Sequence, residues 1–497
     1  MTRTCSSLDG MAANGYRLLI GGEQVAGDQG GYDIVNPATE EVVGQAPEAS
    51  TGQVEAAAAA AAEAFPAWSR TKPEERAALL DRAADLLRSR MDELVPLVQA
   101  ETGATLRVAQ TMQVPTCVER LRRYARGAME PSTIPLPPGE MPTTALAPGG
   151  IMGAIAVRQP VGVVACITPY NFPIVNMAGK IGPALAMGNT VVVKPAPQDP
   201  LAVTVFGEIL HEAGFPAGVV NVVTGSSPEA GQALVASPQV DMVSFTGSTP
   251  VGRAIGEVAG RDMKRLLLEL GGKGAAVVFE DADLKTAIGT ISSVWAFHSG
   301  QICTAPTRVI VHRSRYDEVV GGLQQAAGRM AVGDPLEPTT VVGPVISEVQ
   351  RGRVEALLQD GIGAGGEVVV GGQRPDMERG FYVAPTLLAG CRPDNPAVQQ
   401  EFFGPVVVVV PFDGDEDEAV AIANGTEFGL YDYVFSADTA RAMRVAKQLR
   451  TGNVGINTAQ RNHEAPFGGF KMSGVGRDGG SFGLHAYSEL QSIVWPG

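Results

Sequence analysis

Between Pro160 and Phe245 the chain alternates short apolar runs, rich in β-branched residues, with longer amphipathic ones. Pro160–Thr168 (PVGVVACIT), Thr190–Val193, Gly218–Val223 and Met242–Phe245 predict strands, while Val203–Ala213 and Val251–Ala259 predict helices. The alternation returns from Ala275 to about Phe435: Gly274–Phe279, Thr307–His312, Glu367–Gly371 and Val406–Phe412 read as strands, and Tyr316–Met330, Val349–Gly361 and Thr439–Leu449 as helices. Continuous apolar strands joined by helices imply parallel sheets covered on both faces, so the chain is expected to be α/β with two such domains.

Upstream, residues 16–49 alternate around turn residues and predict short strands and hairpins at a domain edge. From Ser50 to Ala109 the pattern turns helical: Ser50 can cap a first helix, the Ala56–Ala62 run favours it, and Pro73-Glu74-Glu75 opens a second. Residues 131–150, rich in proline and small residues, cannot hold a regular helix and read as an extended arm leaving a domain. Two G-x-G-x-x-G matches are set aside. Gly361–Gly366 runs from helix to strand, the reverse of a dinucleotide fingerprint, and Gly474–Gly479 has no strong strand before it and reads as a surface or interface loop. Asn424-Gly425-Thr426 is a glycosylation sequon in form only.

Composition narrows the classes. At 497 residues and 45% apolar the chain can bury large cores, and a net charge of -15 argues against a nucleic-acid or anionic-membrane partner. Cysteines at 5, 117, 166, 303 and 391 form no CxxC pair, which suggests neither a disulfide framework nor a metal cluster and fits a reducing cytoplasm. The N-terminal stretch has no apolar run suited to a signal peptide, and no segment reaches the ~18 apolar residues of a membrane span.

The candidate chemistry centres on Cys303, set on a glycine-and-threonine turn after the helix-like run Ile291–Phe297. A thiolate there can attack an aldehyde carbonyl, and the Asn171 amide with the Cys303 backbone N–H can hold the resulting oxyanion. Glu269, ahead of a Gly-Gly turn where a carboxylate can swing, is the candidate base for hydrolysing a thioester. The strand ending at Phe245 leads through Gly247 and Ser248 into a helix start, which makes a pyrophosphate seat. A cleft between the two domains is where nucleophile and cofactor can meet.

Pro169-Tyr170-Asn171-Phe172-Pro173, Glu269-Leu270-Gly271-Gly272-Lys273, Gly300-Gln301-Ile302-Cys303 and Glu401-Phe402-Phe403-Gly404-Pro405 occur in an order and spacing that resembles the aldehyde dehydrogenase superfamily, from about Ile20 to Trp495. The resemblance implies two Rossmann-like domains, one for cofactor (16–138 and 160–270) and one for catalysis (271–470), with a small β oligomerisation arm (139–159 and 471–497). It assigns Asn171 as oxyanion donor, Glu269 as base, Cys303 as nucleophile and Lys180 as an aid to proton movement. Lys194 would hold the adenosine ribose and Glu401 the nicotinamide ribose, with Thr168, Pro169, Gly247, Ser248, Val251, Leu270 and Phe403 completing the cofactor site. Tyr170, Asn176, Trp295, Ile302, Thr304 and Phe467 would line the substrate pocket, which His463 and Glu464 border. The cofactor is NAD, with NADP open because Pro197 stands where many NAD-preferring relatives carry a glutamate. Gly179 replaces an aromatic of several relatives, which argues against a tight cage for a quaternary ammonium, and the mouth demands no acidic substrate. A homodimer or homotetramer is implied, pairing about Thr143–Gln159 with a C-terminal strand near Gln491–Trp495. Two other readings stand beside hydrolytic aldehyde oxidation. A coenzyme A-acylating semialdehyde dehydrogenase would lack the base that Glu269 supplies, and a retired or cysteine-hydrolase-like protein would use Cys303 with His298.

Overall fold

The computed structural model describes residues 15–496; Cys5 and most of the N-terminal stretch read above lie outside that range. Within it the strands form an eight-stranded sheet, a seven-stranded sheet, a three-stranded sheet and a two-stranded hairpin. The first sheet runs, edge to edge, Gly474–Val475, Arg265–Glu269, Met242–Thr246, Val163–Ile167, Thr190–Lys194, Val220–Val222, Leu18–Ile20 and Glu23–Val25. Its central strands are parallel and bury both faces: Val164, Cys166, Val191 and Val193 enter one core, and Val163, Ala165 and Val192 enter the core behind. Burying each of these valines contributes about 1.5–3 kcal/mol, which is why these strands read as unbroken apolar runs.

The second sheet runs Glu367–Val370, Thr386–Ala389, Val406–Phe412, Arg308–His312, Ala275–Val278, Tyr431–Phe435 and Asn453–Ile456. Here too alternate residues part, with Ala276 and Val278 on one face and Ala275 and Val277 on the other. The α/β class with two Rossmann-like sheets is thus what the pattern implies. Ser50 caps the helix Thr51–Trp68 in a reciprocal capping box with Gln53, and Gly361–Gly366 is a helix-to-strand turn between Glu348–Gly363 and Glu367–Val370.

Three expectations need correction. The arm begins earlier than residue 139, because Thr133–Met141 is already a strand paired with Gly150–Pro160, which pairs in turn with Ser488–Pro496. Residues 471–487 do not belong to that arm: Gly474–Val475 joins the first sheet, and Tyr487 is buried in the first domain's core. Within Gly474–Gly479, Gly474–Val475 is therefore strand and only the rest is loop. Gly474 pairs with Glu269 at φ 136°, and any side chain there would overlap the Leu268 carbonyl, so only glycine lets this strand close against the neighbour carrying the candidate base.

Candidate active site

Four neighbouring strands of the first sheet end side by side. Their register pairs Lys194 with Ile167, Ile167 with Phe245, and Phe245 with Leu268. Just past this row come Thr168–Asn171, Gly247–Ser248 and Glu269, at the carboxyl ends where parallel sheets receive ligands. Short sequence motifs scattered over many residues are gathered in this way onto one edge.

The candidate nucleophile comes from the segment that leads into the second sheet. After the helix Leu284–Trp295 the chain turns sharply through His298 (φ 48°), Ser299 (φ 56°) and Gly300 (φ 72°), three successive left-handed residues. For His298 and Ser299 this conformation costs of order 1 kcal/mol each and persists because the surroundings hold it. Ser299 Oγ donates to the Gly343 carbonyl at 2.9 Å, and Gln301 Oε1 accepts the Ile346 N–H at 2.9 Å. Gly300 lies flat on the Gly404–Pro405 backbone, where a Cβ would overlap it. Cys303 follows, half-buried, and Tyr433 donates its hydroxyl to the Thr304 carbonyl at 2.9 Å to anchor the far side.

Asn171 meets this loop directly. Its Nδ2 donates to the Gln301 carbonyl at 2.8 Å and its Oδ1 accepts the Phe172 N–H at 3.1 Å, so the amide is oriented and one Nδ2–H remains uncommitted beside the thiol loop. Burial pushes the Cys303 thiol up to about 12, with Glu401 and Glu269 adding to the rise and Arg461 opposing it. Glu269 is 5% exposed, and both of its carboxylate oxygens lack a hydrogen-bond partner. Burial, then Asp478, hold its carboxyl well above the usual range, against Lys180, Arg477 and Arg461. A buried acid without a partner is poised to exchange a proton rather than to brace the fold. Gly271 and Gly272 do not serve side-chain swing, as the sequence suggested. A Cβ on Gly271 would overlap Glu401 and one on Gly272 the Cys303 carbonyl, so these glycines let the nucleophile loop and Glu401 approach the backbone.

Lys180 is buried, which lowers its pKa, and its Nζ donates to Ser244 Oγ at 3.2 Å, itself 2.8 Å from the Tyr487 hydroxyl. His298 does not pair with Cys303: its ring packs 5.1 Å from Phe172, Nε2 has no partner, and burial pulls the imidazole down to about 4. The reading of a cysteine–histidine hydrolase accordingly loses its base.

The remaining positions fit a dinucleotide. Thr168 Oγ1 is buried without a partner, beside a backbone that donates to the Lys194 carbonyl at 3.1 Å. Ser248 is the N-cap of Thr249–Arg261 yet makes no capping bond with its own side chain, so hydroxyl and helix-start N–H groups remain available to an anion. Val251 is exposed in that helix's first turn, and Gly252 packs so tightly on Leu270 that a Cβ would overlap it. Lys194 is lowered to about 8 by burial, while Glu48 and Asp199 pull the other way. Pro197 thus leaves Lys194 still under carboxylate influence, from segments the motif did not include. Glu401 accepts the Gly272 N–H at 2.9 Å, and burial raises its carboxyl to about 7.

Among the pocket candidates, Tyr170 packs edge-on against Phe403 at 5.7 Å, and Asn176 Nδ2 donates to the Phe172 carbonyl at 2.9 Å. Ile302 is half-buried and Thr304 buried, on either side of Cys303, while Pro169 is half-buried ahead of Tyr170. Phe467, half-buried, exchanges backbone hydrogen bonds with Asp478. Trp295 is not on an open wall: it is 1% exposed in the core of the second sheet, because it closes the helix that packs there. Glu464 is engaged by Arg123 at 2.6 Å. Sequence reasoning missed Arg120, Arg461, Arg477 and Asp478, and it quoted Lys273 without giving it a role. Lys273 is buried without a hydrogen-bond partner, 4.5 Å above the Phe402 ring, and lowered to about 7 by burial. No motif marks the arginines: Arg461 acts on the thiol, Arg461 and Arg477 act on Glu269, and Arg120 acts on Arg461.

Comparison with known proteins agrees with this geometry. A model of the aldehyde dehydrogenase family matches residues 24–493. The chain is 38% identical over 472 residues to a 3-succinoylsemialdehyde-pyridine dehydrogenase of a Pseudomonas species, covering 93% of this chain and 94% of that protein. It is 38% identical over 505 residues to phenylacetaldehyde dehydrogenase of Pseudomonas fluorescens, covering 99% and 98%. Betaine aldehyde dehydrogenase from Staphylococcus aureus, solved in complex with NAD+, superposes with a TM-score of 0.93 at 32% identity, covering 99% of this chain and 97% of that one. The NAD+ complex of an aldehyde dehydrogenase from Bacillus cereus gives 0.91 at 37% identity, covering 98% of each.

Proposed function

The chain belongs to the aldehyde dehydrogenase family, and from that membership we propose that it oxidises an aldehyde to the carboxylic acid with NAD, by a covalent route through Cys303 that ends in hydrolysis. The observation that carries this reading is the meeting of three groups from separate segments: the Cys303 thiol, the oriented Asn171 amide and the partnerless Glu269 carboxylate.

Cys303 is half-buried, so its thiol proton can exchange with water before sulfur attacks the carbonyl carbon. The uncommitted Asn171 N–H and the Cys303 backbone N–H receive the oxyanion, and loss of one such donor costs ~3 kcal/mol of transition-state stabilisation. Bound in the Lys194, Thr168, Ser248 and Glu401 site, the dinucleotide supplies the acceptor for the hydride that the adduct gives up. Glu269 then takes a proton from water, which adds to the thioester carbonyl and releases the acid and the free thiol. Lys180 tunes that carboxylate electrostatically. A route that hands the acyl group to coenzyme A has no use for such a base.

The NAD+ complexes of the staphylococcal and Bacillus cereus proteins support the choice of dinucleotide, as do the carboxylates acting on Lys194. We place a homo-oligomer at the arm, where Leu490, Ile493, Val494 and Trp495 are exposed along one strand. Among the described residues no helix is long and apolar enough to cross a membrane. The test is the near-ultraviolet absorbance of reduced nicotinamide against aliphatic, aromatic and semialdehyde substrates, each with NAD and with NADP and without coenzyme A. A signal independent of coenzyme A is expected; a strict need for coenzyme A would overturn the hydrolytic route.

A further inference from the structure

We propose that the substrate is an aldehyde carrying a carboxylate at its far end, received by the guanidinium groups of Arg120 and Arg461. The proposal rests on the aldehyde-oxidation reading above and names the chemistry that this site selects.

The first guanidinium occupies the space left by a missing side chain. The helix Val114–Gly127 lies against Pro173–Ala186, and Arg120 reaches across to it, donating from Nη1 to the Val175 carbonyl at 2.9 Å. One turn on, a Cβ at Gly179 would overlap that same Nη1. The absent aromatic at Gly179 therefore leaves no empty space. It leaves room for a cation, one residue from the Lys180 that faces Glu269.

The second guanidinium comes from a distant segment of the chain. Arg461 follows the strand Asn453–Ile456 and lies 4.0 Å above the Phe467 ring, and among the described residues it makes no hydrogen bond or ion pair. Arg461 is exposed to solvent, and desolvation lowers its pKa. Its charge acts on both the Cys303 thiol and Glu269, and Arg120 acts on it in turn. Arg461 thus faces the nucleophile and Arg120 faces Arg461, and neither makes a hydrogen bond or ion pair with a carboxylate. Asp478 is close, its Oδ2 lying 3.7 Å from the position of a Gly179 Cβ. It pairs with neither arginine, and its Oδ1 accepts from the Gly479 N–H at 2.8 Å and the Tyr124 hydroxyl at 3.5 Å.

Neighbouring arginines show what a committed guanidinium looks like here. Arg123, on the same helix as Arg120, is held by Glu464 at 2.6 Å and Glu130 at 3.1 Å, and Arg477 donates to the Gly469 and Gly476 carbonyls. On a chain of net charge -15, two cations that act on each other without an ion-paired carboxylate stand out. A substrate carboxylate would take up the guanidinium donors and relieve the repulsion between them; a neutral aldehyde would do neither. The mouth, read from sequence as indifferent to charge, becomes selective once these side chains are placed.

The test compares matched pairs on the full-length protein with its dinucleotide: succinic semialdehyde against butanal, and 4-carboxybenzaldehyde against benzaldehyde. We expect the carboxylate member of at least one pair to be favoured in kcat/KM by about 10- to 100-fold, the range of a charge-assisted hydrogen bond. Arg461→Gln and Arg120→Gln should each reduce that ratio about tenfold, chiefly through KM, and competitive inhibition by succinate should weaken in parallel. Equal or better use of the neutral member in both pairs overturns the proposal, as does an unchanged ratio in both folded variants. If either variant fails to fold, the substrate pairs on the unmodified protein decide alone. Oxidation of aldehydes without regard to charge removes this proposal and leaves the reaction standing, whereas silence with every aldehyde removes both.

Discussion

Replacing Glu269 by glutamine tests the central step, because the change keeps the shape of the side chain and removes only its ability to take a proton. In the native protein both carboxylate oxygens lack partners, so no network collapses with the substitution. A positioned general base contributes ~10²–10⁴-fold, and the steady-state rate of Glu269→Gln should fall within that range. Acylation does not use this carboxyl, so rapid mixing should still give a burst of reduced dinucleotide near one equivalent per active site. Mass spectrometry of the intact protein should then find the acyl group on Cys303. Since burial and Asp478 raise the Glu269 carboxyl, deacylation in the native protein should quicken as pH rises through that raised value, and in the variant this rise should vanish. Stability runs the opposite way with pH. A raised carboxyl contributes its stability below the ordinary carboxylate range and loses it as pH climbs through the folded-state value. The melting temperature of the variant should therefore gain on the native one as pH increases. Undiminished steady-state turnover in Glu269→Gln, or loss of the burst along with it, would refute the assignment.

Cys303→Ala should abolish turnover and leave dinucleotide binding intact by fluorescence titration. In the native protein, iodoacetamide should label Cys303 ahead of the fully buried Cys117 and Cys166, about tenfold faster per pH unit below its raised value of about 12, as peptide mapping can follow. Asn171→Ala should lower kcat by roughly 10²–10³-fold with little change in KM, and a raised KM with kcat unchanged would mean that the amide only binds substrate. Gly474→Val should destabilise the fold by about 2 kcal/mol or more in urea titration, because its side chain must displace the Leu268 carbonyl from a strand already fixed at Glu269. Trp495→Arg, on the exposed face of the arm, should shift the protein to a smaller assembly in light scattering; an unchanged mass would place the interface elsewhere.

The parts legible in the sequence are those whose cause is local. Val163–Ile167 and Val406–Phe412 announce themselves because both faces of a central parallel strand must be apolar, and Ser50 because a cap acts within one turn. Arg265–Glu269, Thr386–Ala389 and Tyr431–Phe435 were harder to see. The first is short and closes on the candidate base, the second is only four residues long, and the third mixes tyrosines and an aspartate, Asp432, that is buried because it accepts the Ala275 N–H. Cys303, Asn171 and Glu269 were legible for a related reason: each sits on a turn whose glycines and prolines leave a pattern in adjacent residues.

Arg120 and Arg461 leave no such pattern. Each matters through residues far away in the chain, Arg120 through the vacancy at Gly179 and Arg461 through the face of Phe467 and the thiol beyond it. The sequence signals only half of this, an aromatic missing at Gly179, and by itself that half speaks only against a quaternary-ammonium cage. What fills the gap depends on the angle at which Val114–Gly127 crosses Pro173–Ala186, and only packing sets that angle. Reaction chemistry, held by short motifs on strand ends, and substrate choice, held by side chains on crossing elements, therefore respond to different changes. Substituting Gly179 would redirect the choice of aldehyde and leave Cys303, Asn171 and Glu269 in place.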